Sequence, residues 1–132
     1  MGVGDHFQAR EAMSEHALQV QVANLLDNMR LLWTAVPNAG LRTPRQGKWM
    51  KDEGLKRGCP DLLIFTAPKA LPHQTPRVGL AIELKNGKKG RLSEHQQTWL
   101  VRLELEGWRT CVCRDMDEVL ALLRECYPCK LK

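Results

Sequence analysis

Two stretches decide the fold: GCPDLLIFT at residues 58–66 and VGLAIELK at residues 78–85. Asp61 to Thr66 is a short apolar run with Gly58 and Pro60 before it and Pro68 after it, the signature of a buried strand. Val78 to Leu84 reads as a second strand. Residues 67–77 between them carry three prolines and read as a loop. Three charged residues interrupt this apolar pair. Asp61 opens the first strand, Glu83 sits near the end of the second, and Lys85 follows two positions later. Side chains alternate along a strand, so Glu83 and Lys85 share one face while Ile82 and Leu84 take the other. If the two strands are neighbours, Asp61 approaches Glu83. Two carboxylates held close repel each other unless a divalent cation joins them, and oxygen donors suit Mg²⁺ or Mn²⁺. A lysine beside such a cation can stabilise charge on an attacking water or on a phosphate.

The segments on either side complete an α/β pattern. Leu18, Val22, Leu25, Met29 and Leu32 recur at spacings of three and four, which predicts a helix from Met13 to Trp33 with Ser14 as its N-cap. Residues 34–47 are rich in turn formers and read as a loop, and residues 48–57 as a short helix ending near Gly58. After the second strand, residues 87–90 form a basic turn. Leu92 to Glu106 reads as a helix closed by Gly107, with Trp99, Leu100 and Leu103 on one face. Trp108 to Arg114 reads as a third strand and Asp115 to Cys126 as a last helix, opened by the Asp115-x-x-Glu118 capping box. The strand–helix–strand step across residues 78–114 is long enough for a right-handed crossover between parallel strands. The expected architecture is an α/β sandwich on a small mixed sheet, with residues 1–12 as a tail, 13–127 as the domain and 128–132 as a second tail.

Composition narrows the function. The chain has 132 residues, of which 43% are hydrophobic and 27% charged. That suits one folded domain of ordinary size and argues against global disorder. No apolar run approaches the roughly 18 residues that span a bilayer. No basic stretch followed by an apolar one opens the chain, which points to a cytoplasmic protein rather than a secreted one. The formal charge of +5 is unevenly spread. Arg42, Arg45, Lys48, Lys51, Lys56 and Arg57 face only Asp52 and Glu53 in their segment. Lys85, Lys88, Lys89 and Arg91 form a second basic run with no acid in it. Two basic patches are the footprint of a polyanion-binding surface, although lysine-rich loops are often simply solvated. The five cysteines are Cys59, Cys111, Cys113, Cys126 and Cys129. Their odd number argues against a disulfide framework. Cys111-x-Cys113 and Cys126-x-x-Cys129 hold zinc-like spacings, but the first pair lies in a strand-like run where buried free thiols are common.

Gly58-Cys59-Pro60-Asp61 followed by Ile82-Glu83-Leu84-Lys85 resembles the PD-(D/E)xK nuclease signature. Ser14-Glu15 on the leading helix, Pro37-Asn38-Ala39-Gly40, Leu92-Ser93-x-x-Gln96 and the closing Gly107-Trp108 make the chain similar to the VRR-NUC subgroup over residues 13–126. The resemblance implies a restriction-endonuclease-like αβββαβ core and Mg²⁺- or Mn²⁺-dependent cleavage of DNA. It implies Asp61, Glu83 and the Leu84 carbonyl as metal ligands, with Lys85 activating or orienting water. Gln96 would position water or phosphate from the helix after the sheet, and Glu15 would reach the same centre as a further ligand. The basic residues Arg42, Arg45, Lys48, Lys51, Lys56, Arg57, Lys88, Lys89 and Arg91 would then hold DNA phosphates.

Plainer roles exist for each site residue. Glu15 could serve its helix dipole, Gln96 only a capping box with Ser93, and the Glu83–Lys85 pair an edge-strand defence against aggregation. Against the first stands the alignment of Glu15 with Leu18, Val22 and Leu25, an odd place for an unpaired carboxylate. Cys59, where an aliphatic residue is common, is expected to stay out of the chemistry. The family resemblance also implies a homodimer acting on branched DNA, such as four-way (Holliday) junctions. A flap nuclease, an exonuclease, a restriction-type enzyme or a catalytically silent DNA-binding module are the other readings.

Overall fold

The computed structural model describes residues 14–37, 43–87 and 90–131. Its elements run α1 (Glu15–Asn28), β1 (Trp33–Ala35), α2 (Pro44–Asp52), β2 (Leu62–Ile64), β3 (Leu80–Leu84), α3 (Glu94–Leu105), β4 (Arg109–Cys113) and α4 (Met116–Cys126). The four strands form one sheet in the order β1-β2-β3-β4. β1 and β2 pair antiparallel, as do β2 and β3, while β3 and β4 are parallel. The sheet is mixed, and α3 makes the crossover that its parallel pair requires.

β3 sits inside the sheet and is buried along its whole length. One face carries the core. Leu62, Ile64, Leu80, Ile82 and Leu84 from the sheet meet Leu18, Val22 and Leu26 of α1 and Val119, Leu122 and Leu123 of α4. This periodicity, two on the strands and three to four on the helices, is what closes the layers. Glu83 points to the other face, toward α3.

Two expectations are corrected here. The first helix does not run to Trp33. It ends at Asn28, Arg30 takes a left-handed φ of 58°, and residues 33–35 form an edge strand opposite Leu62–Ile64. Leu32, counted on the inward stripe, is exposed. Three residues are too few to display a period, and the strand exists because β2 offers it backbone partners. The backbone is stitched at its start, where Leu32 N–H donates to Thr66 Oγ1 at 2.8 Å and Phe65 N–H to Leu32 O at 2.7 Å. The short helix lies at Pro44–Asp52 rather than 48–57. Thr43 and Gln46 form a capping box, Pro44 occupies the first turn, and Gly54, at φ 109°, lies just past the end.

Candidate active site at the end of the two central strands

Strand register brings the acids together. Leu62 pairs with Ile82, and one step further Asp61 falls opposite Glu83 on the same face. The next step would place Leu84 opposite Pro60, which is buried. There the Leu84 N–H donates to Asp61 Oδ2 at 2.7 Å, so the side chain caps the ladder and is fixed by it. Val36 N–H holds the Asp61 carbonyl at 2.8 Å from the other side.

Glu83 is 2% exposed, the one charged residue buried among the described residues. Its Oε1 accepts from Gln96 Nε2 at 2.8 Å and lies 3.8 Å from the Lys85 ammonium. Its Oε2 is buried with no hydrogen-bond partner. Burial first, and the Asp61 charge second, push the Glu83 carboxyl up to about 8. Burial likewise raises Asp61, opposed by the Leu84 N–H and by Lys85. Glu15 is raised by burial and then by Asp61, and lowered by Lys85, which places the start of α1 within electrostatic reach of the same pair. A carboxylate with an orphaned oxygen, next to a second acid, is a site built for positive charge.

Gln96 fills two roles at once. Its backbone N–H donates to Ser93 Oγ at 3.2 Å and its Oε1 accepts from Ser93 N–H at 2.9 Å, while its amide nitrogen holds Glu83. The cap anchors the side chain that orients the acid. The N-terminus of α3 is itself pressed against the loop before Asp61. Gly58 has φ 89°, and a Cβ there would come within 2.6 Å of the His95 backbone and 2.9 Å of Gln96 N. Trp99 Nε1 adds a 2.9 Å hydrogen bond to the Arg57 carbonyl.

These groups open into a cleft of about 630 Å³. Glu15, Asp61, Glu83, Lys85 and Gln96 all line it. Four of the basic residues expected to hold phosphates, Lys48, Lys51, Lys56 and Arg57, line it as well. Arg45 and Arg91 do not, and Arg42, Lys88 and Lys89 lie outside the described residues. Cys59, expected to be remote from the chemistry, is on the cleft wall. Burial, then the Glu83 and Asp61 charges, push its thiol up to about 11. Two supporting residues were not expected to serve the site. Gly58 had a signal in the Gly-x-Pro-Asp run. Arg114 had none, yet its guanidinium donates to the carbonyls of Gly87 and Gly90 and closes the turn after Lys85.

Among the described residues no cluster of three or more His, Cys, Asp or Glu side chains forms a metal cage. The donor set nonetheless fits a hard divalent cation. Mg²⁺ keeps several waters and is usually bound through one or two carboxylates plus substrate phosphates, and here the orphaned Glu83 Oε2 stands beside Asp61 in an open cleft.

The VRR-NUC domain model matches residues 5–117. The chain belongs to the VRR-NUC domain family. Its fold is similar to that of a solved structure described as a VRR_NUC domain protein, at 24% identity, with a TM-score of 0.65, covering 85% of this chain and 86% of that one. No curated protein matches it. Membership makes it a nuclease-type domain, and the mixed sheet with its flanking helices is the fold that the resemblance implied. Among the described residues no helix is long and apolar enough to cross a membrane.

Proposed function

We propose that this VRR-NUC domain is a metal-dependent DNA endonuclease, selective for branched DNA such as four-way junctions. The observation that carries the reading is the buried, half-unpartnered Glu83 carboxylate set opposite Asp61 and beside Lys85, at the floor of a cleft whose walls are basic. Glu83 and Asp61 would hold Mg²⁺ or Mn²⁺, with the Leu84 carbonyl and Glu15 as further donors. When bound, such an ion supplies positive charge to the scissile phosphate and lowers the pKa of a water beside it. The chain's own groups do the rest. Gln96 and the Leu84 N–H hold the two carboxylates in place. Lys85, with a side chain only 13% exposed, offers its ammonium to a phosphate oxygen or to the attacking water. Lys48, Lys51, Lys56 and Arg57 hold flanking phosphates, contacts that carry no base sequence. Recognition would therefore rest on the shape of the DNA. Two copies of the chain, one centre each, would match the two-fold symmetry of a junction in the cytoplasm of a bacterial or phage-infected cell.

The test compares labelled four-way junction, flap, linear duplex and single strand with Mg²⁺, Mn²⁺ or EDTA. Metal-dependent cutting of the junction is expected, falling at least about 100-fold in Glu83→Ala and in Lys85→Ala. Cleavage that survives both substitutions refutes the site. Binding without cutting in either metal makes the domain a silent DNA-binding module. A dimeric mass in solution is expected from size-exclusion chromatography with light scattering.

A further inference from the structure

On β4, Cys111 and Cys113 project to the same face, two residues apart. Their sulfurs are 3.9 Å apart, with the Cys113 thiol donating to Cys111. Cys111 is half-buried and Cys113 fully buried. Arg109, two residues earlier on that face, donates to Cys126 Sγ at 3.3 Å and to Glu125 at 3.0 Å. The hydrogen bond from Cys113 and the Arg109 charge hold the Cys111 thiol down, at about 7, against the opposing effect of burial. Cys111 is the more accessible of the two sulfurs, and Cys113 waits beside it.

We propose that Cys111 and Cys113 are a peroxide-oxidisable dithiol whose closure to a disulfide reversibly slows the chemistry in the cleft. The second half of this statement rests on the nuclease reading above. In the first step the Cys111 sulfur attacks the O–O bond of a hydroperoxide. A sulfenic acid forms, and one oxygen leaves as water, or as an alcohol from an organic peroxide. In the second step the Cys113 sulfur attacks the sulfenic sulfur, the S–O bond breaks, and a second water leaves with the thiol proton. The two thiols lose two electrons and two protons, and the peroxide accepts them.

The strand makes this bond strained. Extended backbone sets Cα atoms two residues apart at about 6.6 Å. That is the outer limit for a disulfide, whose sulfurs must close to about 2.05 Å. Closing the 3.9 Å gap therefore pulls the end of β4 out of full extension. That end holds the active lysine. The Cys113 carbonyl accepts the Lys85 N–H at 3.0 Å, and Arg114, the next residue, ties the turn after Lys85 through Gly87 and Gly90. A contraction at Cys113 is carried by that hydrogen bond to Lys85 and disturbs its placement beside Glu83. The same strain makes the disulfide easy to reduce, so the change reverses.

The test treats the full-length protein with hydrogen peroxide, alkylates free thiols, and maps peptides by mass spectrometry. Trypsin releases residues 110–114 between Arg109 and Arg114. That peptide is expected to lack two hydrogens and to regain them with dithiothreitol. Junction cleavage is expected to fall several-fold on oxidation and to recover on reduction, in wild type and in Cys59→Ser alike. Cys111→Ser, and separately Cys113→Ala, are expected to keep their activity through the same treatment. Two alkylated thiols after peroxide overturn the proposal, as does equal loss of activity in Cys111→Ser. A disulfide that leaves cleavage unchanged overturns its regulatory half. If the reduced protein cuts no DNA, the nuclease reading fails, while the mass of the peptide still decides the dithiol.

Discussion

Glu83 is a carboxylate that the fold keeps at a cost. Its pKa rises to about 8 because burial and Asp61 both disfavour its charge. The folded chain then binds more protons than the unfolded one between the ordinary glutamate range and about pH 8. The metal-free protein must lose stability as pH rises through that window, and level off above it. Glu83→Gln keeps the acceptor for Gln96 and turns an amide N–H₂ toward Asp61, so it removes the charge without removing the shape. Its expected effect is a gain of at least about 1 kcal/mol for the metal-free protein at pH 8, with no gain at pH 4, read by urea denaturation at both pH values. The same substitution should abolish cleavage. A divalent cation competes with the proton for this carboxylate, so in the wild type metal affinity should increase as pH is raised toward about 8, and the thermal shift produced by Mn²⁺ should vanish in Glu83→Gln.

The segments differ in how much of their role the sequence displays, and the reason is physical. β2 and β3 are apolar runs bounded by glycine and proline, and Glu83 and Lys85 stand out because they break the run. Their shared face follows from strand alternation alone. The pairing with Asp61 does not, since it needs the register across an eleven-residue loop with three prolines, which only the folded pairing of Leu62 with Ile82 fixes. β1 is opaque for a related reason: Trp33 to Ala35 have no period and gain their strand from β2. The helix at Pro44 has a capping signal in Thr43-Pro44-x-Gln46, but the turn formers around it make residues 34–47 read as a loop. Gly58 shows how a loop residue serves a helix. Its positive φ and its contact with the His95 backbone let α3 sit close enough for Gln96 to reach Glu83. Gly58→Ala meets both a left-handed backbone and a 2.6 Å clash, and should cost about 1–3 kcal/mol. Cleavage should fall further than stability alone explains, because the displaced α3 carries Gln96 with it. Denaturant midpoints and cleavage rates, measured at a temperature where the variant is fully folded, separate the two effects.

The charge of the entire chain acts through where it is placed. A net +5 gives weak attraction to a polyanion, but Lys48, Lys51, Lys56 and Arg57 gather on one cleft. The helix carrying the first two, α2, has no buried residue, so its lysines answer to the cleft and to solvent rather than to a core. Lys48 has a partner in Asp52 at 3.5 Å, but both side chains are mostly exposed, and such a pair is worth little and yields readily to a phosphate. If these lysines hold the DNA backbone, each phosphate contact releases condensed counterions, and the logarithm of affinity falls with the logarithm of salt concentration by about 0.9 for every contact. The double variant Lys48→Ala, Lys51→Ala should then bind junction DNA more weakly, and its salt slope should be shallower by about 1.5–2. The loss should be the same for junctions of unrelated base sequence, because phosphates carry no sequence. Binding titrations in EDTA over a range of salt concentrations measure this without cleavage. An unchanged slope would mean that the strands run elsewhere and that α2 is not a wall of the DNA path.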